Sequence, residues 1–555
     1  MAGGLLNIVS IGNANIFLTG NPTKTFFNVV YSKYTNFGLQ KFRLDYDGAR
    51  DLRLTTDSVF TFKVKRYAEL LMDTYVVLTL PDIWSPVYSP TTDTSGNWSP
   101  YEFRWIKDIG SKIIRSIDIN CGSLKLQSYT GDYLAALVDR DFSAEKKDLY
   151  NKMTGNVPEL YDPANAFQRT NSYPNAIYNP KFKNPAGVFV GAEPSIRGRT
   201  LYVPINTWFT LNSNCAFPLI ALQYNELTIT VTLRPIQELY QVRDPFQPTA
   251  NFPYVQPNYT GDEFQLFRFL QSPPQVDTTS SSVYPNTTSG WNADVHLLST
   301  YCFLSKEEAQ LFAREDQVYL VKDVFQYFYE NVIGTQRVKL TSNGMIASWM
   351  FYLQRNDVNM RNEWSNYLNW PYDSLPQNVV FNNTNTNGST AIAYTTNQDG
   401  TSTGIMNTGG FTPDNTKHIL LSMGVLLDGE YRENTLTRGV YDYVEKYIRT
   451  KGSAKEGLYC YNFCLNTDPF EYQPSGAINL SKFKNVELEV ATFVPPIDPM
   501  GAAYNVVCDS AGSPIGVSQK PSWMLYYYTY NMTVFEERYN VLSFVSGNAG
   551  MLYSR

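Results

Sequence analysis

The sequence predicts an all-β chain folded as two large domains, and three observations predict it. Strand-forming runs recur along all 555 residues, helical patterning is confined to a few short pieces, and strand-favouring aromatics make up 15% of the chain. The length suits two β domains of about 200–250 residues as well as four small ones. Hydrophobic residues at 43% supply ample core material, which excludes a disordered chain.

The first run is residues 25–31, TFFNVVY, all β-branched or aromatic but for one Asn. Runs at 59–64, 74–80, 113–119 and 227–233 follow in the first half. The second half adds 318–328, 348–353, 458–465, 486–493, 523–535 and 541–545. The turn residues between them favour antiparallel sheets over alternating βαβ units. Residues 133–153 carry helix formers, and Ser305 with Glu308 forms a capping box that opens a short helix through Arg314.

Prolines 235, 245, 248, 253 and 257 crowd residues 233–262, which reads as an extended connector between domains. A weak internal repeat agrees. Glu226-Leu227-Thr228-Ile229 is echoed 261 residues later by Glu487-Leu488-Glu489-Val490. Val64-Lys65 before Tyr75-Val76 is echoed 274 residues later by Val338-Lys339 before Trp349-Met350. The expected organisation is an N-terminal arm at 1–24, a first domain at 25–240, a connector at 241–262 and a second domain at 263–555. Within the second, 21 of the 29 residues from Asn382 to Gly410 are Asn, Thr, Gly or Ser. That segment, about 380–415, reads as a long surface loop that tolerates insertion near Thr396.

Composition also limits the chemistry. The 45 Lys and Arg against 51 Asp and Glu give a net charge of −6, with no basic run, so nucleic-acid contact through a basic surface is disfavoured. Only His296 and His418 are available as imidazole bases or ligands. Six cysteines are too sparse for a disulfide framework, and Cys460 and Cys464, four apart on a strand-like run, lie about 13 Å apart, too far for a disulfide or one zinc ion. They read as buried thiols in a chain that folds in a reducing compartment. No leader pattern or membrane span is legible near the start, so the chain reads as soluble.

Candidate catalytic groups fare poorly. Gly400-Thr401-Ser402-Thr403-Gly404 fits a nucleophile-elbow pattern, but it lies in the low-complexity loop, where such a match arises from composition. Glu487/Glu489 and Glu536/Glu537 are carboxylate pairs of the kind a glycoside hydrolase uses. Tyr526-Tyr527-Tyr528 reads as a strand with aromatics on both faces rather than a stacking platform. Sequons at Asn97, Asn258, Asn286, Asn382, Asn387, Asn479 and Asn531 are expected from an Asn- and Thr-rich chain and read as unused. The expectation is no enzyme, no catalytic, cofactor-binding or metal site, and no cofactor. The competing readings are a two-domain β-sandwich carbohydrate-binding protein and a glycoside hydrolase.

Four stretches, in order along nearly the whole chain, carry a resemblance. They are residues 31–37 (YSKYTNF), 217–227 (FPLIALQYNEL), 457–463 (GLYCYNF) with 473–481 (QPSGAINLS), and 539–542 (YNVL) running through Ser546-Gly547 to residues 552–554 (LYS). Together they resemble the major capsid proteins of nucleocytoplasmic large DNA viruses; Asn225 stands where that family often has histidine. The resemblance implies a double jelly roll, two consecutive jelly-roll sandwiches with a few short helices in loops. It also implies pseudo-hexagonal homotrimers that tile an icosahedral shell. Implied partners are neighbouring capsomers, minor capsid and penton proteins and internal membrane proteins, with no direct nucleic acid. The implied location is the capsid shell of the virion, assembled in the host cytoplasm.

Overall fold

The computed structural model describes residues 2–9, 12–88, 99–174, 193–245, 253–273, 283–373, 393–396, 402–407, 417–471, 473–495, 506–508, 513–517, 525 and 527–553. Eight strands build the first domain: β1 (Phe37–Asp45), β2 (Ser58–Lys63), β3 (Leu70–Leu80), β4 (Ile114–Cys121), β5 (Leu124–Tyr129), β6 (Arg199–Pro204), β7 (Leu227–Leu233) and β8 (His296–Leu304). Eight more build the second: β9 (Gln317–Tyr329), β10 (Thr335–Leu340), β11 (Met345–Arg355), β12 (Leu420–Leu427), β13 (Glu430–Thr437), β14 (Leu458–Asn462), β15 (Val486–Thr492) and β16 (Tyr530–Val545).

Both domains pair their strands antiparallel and in the same order. One sheet runs first-eighth-third-sixth, as β1-β8-β3-β6 and β9-β16-β11-β14. The other runs second-seventh-fourth-fifth, as β2-β7-β4-β5 and β10-β15-β12-β13. Two facing sheets in that order are a jelly roll, here made twice. Alternation dictates the facing sides. β7 reads LTITVTL with its apolar residues buried and its threonines half-buried, and β2 and β15 alternate likewise. Val76 and Leu78 of β3 meet Ile117 of β4 and Val231 of β7 in the first core. Trp349 and Phe351 of β11 meet Leu488 of β15 and Val534 of β16 in the second.

The repeat is therefore real at the level of strands. β7 and β15, which carry the 261-residue echo, are both seventh strands. β3 and β11 are both third strands, but the 274-residue offset sets Tyr75, outside the core, against Trp349 inside it. That register is off by a face.

The expected domain boundaries need correction. β8 lies beyond the proline-rich segment yet pairs with β1 from Phe37↔Leu304 to Asp45↔His296, and with β3 on its other side. The first sandwich thus closes at Leu304, and the domains part at 305–316, not at 241–262. The proline-rich segment is no free connector either. Tyr240–Arg243 pairs with Phe103–Trp105 and with Tyr254–Val255 in a small sheet of the first domain. Its prolines bracket these short strands instead of interrupting them, which is where proline is tolerated.

The arm also runs longer than expected. α1 (Ala2–Val9) and the turns at Asn13–Asn15 and Ile16–Thr19 precede an unpaired stretch reaching Asn36. Residues 25–31, a predicted strand, have the propensity but no partner strand, and Phe27 is 97% exposed. The expected helix at 133–153 is two helices, α2 (Gly131–Asp141) and α3 (Ala144–Thr154), capped by Thr130 and Ser143. α4 (Lys306–Arg314) starts as its capping box predicts, with the Ser305 hydroxyl accepting from the Glu308 amide. In the second domain a wide helical turn at Val440–Val444 leads into α5 (Glu445–Arg449).

Most of residues 380–415 lies outside the described residues. Ala393–Thr396 and Ser402–Asn407 within it pair as an antiparallel hairpin. The runs at 523–535 and 541–545 are not two strands. β16 is one 16-residue strand starting at Tyr530.

Candidate assembly surfaces

Along β16, β11 and β14 of the second domain's β9-β16-β11-β14 sheet, neighbouring residues point to opposite faces, and both faces are apolar. Trp349, Phe351, Tyr459 and Val534 face that domain's own core. Met350, Tyr352, Leu458, Cys460 and Phe535 face the other way and join the core of the first domain. A strand buried on both faces must be apolar throughout, which is why β11 reads MIASWMFYLQR. The two sandwiches share one hydrophobic core across their junction. Tyr133 of α2 meets Phe535 edge-on at 5.6 Å, and Phe217 meets Phe544 at 5.2 Å.

Charges are sealed into this junction. The Arg140 guanidinium on α2 is fully buried and donates to Asp141 at 2.6 Å, to Glu537 on β16 at 2.9 Å and to Ser348 on β11 at 3.0 Å. Tyr133 donates to Glu537 at 2.8 Å. Burial alone would raise the Glu537 carboxyl, but the Arg140 and Lys322 charges and the Ser348 and Tyr133 hydroxyls outweigh it and hold the pKa at about 2. One guanidinium does not neutralise two buried carboxylates equally. Burial and the Glu537 charge push the Asp141 carboxyl up from its usual value despite Arg140. Farther along the junction, Asn362 donates to the carbonyls of Gln237 and Tyr240, Gln241 to Glu363, and Tyr372 to the Tyr254 carbonyl.

Two bare apolar regions stand out on the outer surface among the described residues. The arm exposes Phe17 at 97%, Leu18 at 89% and Phe26 at 87%. The helical segment Val440–Arg449 exposes Tyr447 at 90% and Ile448 at 58%. Exposed apolar groups this concentrated mark contact surfaces.

None of the sequence-level candidates for chemistry gathers into a site. Glu536 and Glu537 are adjacent on β16 and so point to opposite faces. Glu536 accepts from Trp349 Nε1 at 2.7 Å on one side, and Glu537 meets Arg140 on the other, so they cannot share a cleft. Glu489 is paired with Arg337 at 2.8 Å and Tyr431 at 3.0 Å on an outer sheet face, beside half-buried Glu487. Ser402 lies in a hairpin strand, not on a strand-to-helix turn. His296 is on β8 with Nδ1 2.6 Å from the Asp294 carbonyl, whereas His418 precedes β12 in the other domain. Burial and the Arg438 charge lower the His418 pKa. Tyr526 lies outside the described residues. Tyr528 is not in a strand as expected but packs under the Arg355 guanidinium at 3.5 Å. Cys460 and Cys464 are buried free thiols, and burial pushes Cys460 up to about 12. Among the described residues no cluster of His, Cys, Asp and Glu could hold a metal, and no helix is long and apolar enough to cross a membrane. Of the sequons, Asn258, Asn286 and Asn479 are exposed, Asn531 is half-buried on β16, and Asn97, Asn382 and Asn387 lie outside the described residues.

Two jelly rolls in tandem, fused through the outer face of one sheet, define a double jelly-roll protein. Residues 25–266 match the family described as major capsid protein N-terminus, and residues 308–550 match large eukaryotic DNA virus major capsid protein. The chain belongs to the major capsid proteins of the nucleocytoplasmic large DNA viruses. It is 23% identical to the major capsid protein of Phaeocystis pouchetii virus and 23% identical to that of Paramecium bursaria Chlorella virus 1, each alignment covering 100% of both chains. In structure it resembles the VP54 capsid protein of PBCV-1, with a TM-score of 0.59 at 18% identity over 96% of this chain and 100% of that one. It also resembles the Faustovirus major capsid protein, with a TM-score of 0.57 at 12% identity over 97% and 96%. The gap between the two family matches, 267–307, ends where the sheets part.

Proposed function

We propose that this capsid subunit works as a homotrimer of pseudo-hexagonal outline that tiles the icosahedral shell of a large double-stranded DNA virus. The observation that carries the reading is the fused pair of identically wound sandwiches. Two such domains per chain give six similar blocks per trimer, a hexagonal tile built from three chains. Its contacts are with neighbouring capsomers, minor capsid and penton proteins and internal membrane proteins, and not with nucleic acid. The arm, with Phe17 and Phe27 in solvent, suits contacts with these shell components. The subunit assembles in the host cytoplasm and resides in the virion shell. It carries no catalytic, cofactor or metal site. The hairpin-bearing segment 380–415 belongs to the outward surface, where a tag beside Thr396 is accessible on intact shells.

Negative-stain microscopy and light scattering of the purified chain test this. Trimers with a hexagonal outline are expected. A monomer persisting at micromolar concentration and above overturns the reading.

A further inference from the structure

We propose that the Val440–Arg449 helical segment of one copy seats on the outer face of the β1-β8-β3-β6 sheet of the next copy. This rests on the trimer reading and names the surfaces that close the trimer.

The argument starts from the contact already made within one chain. In each domain the connection from fifth to sixth strand carries helix: α2 and α3 in the first, the turn and α5 in the second. The first domain's α2 is covered, with Tyr133, Leu134 and Leu137 buried, and it lies on the outer face of the second domain's first-eighth-third-sixth sheet. The rows it covers are Val324–Glu537–Ser348 and Gln326–Phe535–Met350, each running across three paired strands.

The equivalent helix face is bare, and the sheet face is open only in part, with Val77 at 2% exposure and an Arg43, Asp45, Arg50 and Asp294 ion-pair network over it. On the Val440–Arg449 segment, Tyr441, Asp442 and Lys446 are buried against its own domain, whereas Val444, Tyr447 and Ile448 are 47%, 90% and 58% exposed. They are spaced i, i+3 and i+4 along the helical segment and so share a face. On the first domain, outward rows of the same sheet are Arg43–Leu298–Tyr75–Pro204 and Asp45–His296–Val77–Tyr202. No helix of the same chain covers them among the described residues. Tyr202 there is 41% exposed. The chain thus offers an unused helix face at one end and, at the other, a partly open sheet face of the kind that its own first half has already shown such a helix to fit.

A helix-on-sheet contact of this kind is head-to-tail, and it ends growth only by closing a ring. Three copies closing in this way place six sandwiches in a circle, each laying its helix on the sheet of the next. Half of the six contacts lie within chains and half between them.

The test compares the wild-type chain with Tyr447→Asp and Ile448→Asp in sedimentation velocity. Both positions are in solvent in one chain, so circular dichroism and melting temperature should stay at wild-type values. The midpoint concentration for trimer dissociation should rise about 100-fold or more. A second measurement does not depend on the substitutions being harmless. A chain carrying Tyr447→Cys with Tyr202→Cys, treated with a short bis-maleimide, should give a covalent trimer on a denaturing gel. Neither single variant nor the wild type should do so. If the aspartate variants stay trimeric and the double variant yields only monomer, the interface lies elsewhere and the capsid reading stands. Cross-linked dimers from Tyr447→Cys alone would show a helix-on-helix contact and overturn the proposal. A monomeric wild type overturns the trimer reading itself.

Discussion

Arg140, next to the last residue of α2 in the first domain, holds Glu537 of β16 in the second at 2.9 Å across 397 residues of sequence. Both side chains are out of solvent, and Tyr133 and Ser348 complete the acceptor sites of the carboxylate. The pair lies inside the apolar junction, so the two sandwiches cannot slide or part without stranding a charge in a medium that solvates it poorly.

Truncating Arg140 should therefore cost far more than a surface ion pair. Arg140→Ala leaves Glu537 buried without its guanidinium, and a loss of about 3–5 kcal/mol is expected. Arg140→Lys should recover only part of it, because one ammonium cannot span Asp141, Glu537 and Ser348 together. Denaturant titration of the three proteins measures both. Equal stability of Arg140→Ala and wild type would refute the role given to this pair.

Stability should fall in acid for an identifiable reason. Glu537 drops from an ordinary 4.5 to about 2 in the folded chain. Its stabilising share is fully present above about pH 4.5 and disappears as pH falls towards 2, worth about 3 kcal/mol over that window. Asp141 acts with the opposite sign: its raised pKa favours the folded state at low pH, and that share is lost as pH rises through the raised value. The variant Glu537→Gln removes the acid-labile part and keeps the Arg140–Asp141 pair. Between pH 5 and pH 3 its unfolding midpoint should decline less steeply than that of the wild type.

The shared core predicts cooperative unfolding. Phe535 packs against Tyr133 and Tyr352 at the junction, so Phe535→Ala should cost about 3–5 kcal/mol and loosen both domains together. Scanning calorimetry of the intact chain should show one transition. Residues 305–553 expressed alone should aggregate, since Met350, Tyr352, Leu458 and Phe535 would then face water. A soluble, monomeric second domain would contradict the shared core.

Deleting residues 2–30 should leave the sandwiches intact. The arm's described side chains are exposed in the isolated chain, and Phe17 and Phe27 are each 97% exposed. The melting temperature is expected to stay within about 2 °C of wild type, because little burial is lost. Particle assembly, followed by electron microscopy, is expected to fail. Normal shells from the shortened chain would remove the arm from the contact surfaces.

What could be read from the sequence depended on local pattern. β7 and β15 alternate cleanly, and β11 is apolar on both faces, so each announced itself. β8 did not. A register shift between Ser299 and Tyr301 breaks its alternation, and it follows the prolines that suggested a boundary. β1 was missed because most of its residues, Gln40, Lys41 and Arg43 among them, are exposed, and residues 25–31 looked better by propensity alone. Arg140 and Glu537 left no signal, since nothing local tells a buried partner from a solvated one. Glu537 drew notice only as a neighbour of Glu536, for a chemistry that their opposite directions forbid.

The late arrival of β8 also bears on how the chain is made. Phe37 must wait for Leu304 before β1 gains its partner strand, and Gln317 must wait for Phe544. At roughly 5–20 residues per second, a ribosome needs on the order of 15–50 seconds to deliver the missing strand of the first sandwich. During that interval β3 presents an open edge to every other nascent copy nearby, and a virus makes its shell subunit in bulk. Long-range closure of this kind is slow and prone to misassociation. Yield in a foreign host should therefore be set by translation speed and by factors that shield strand edges, before the intrinsic stability of the finished sandwich comes into play.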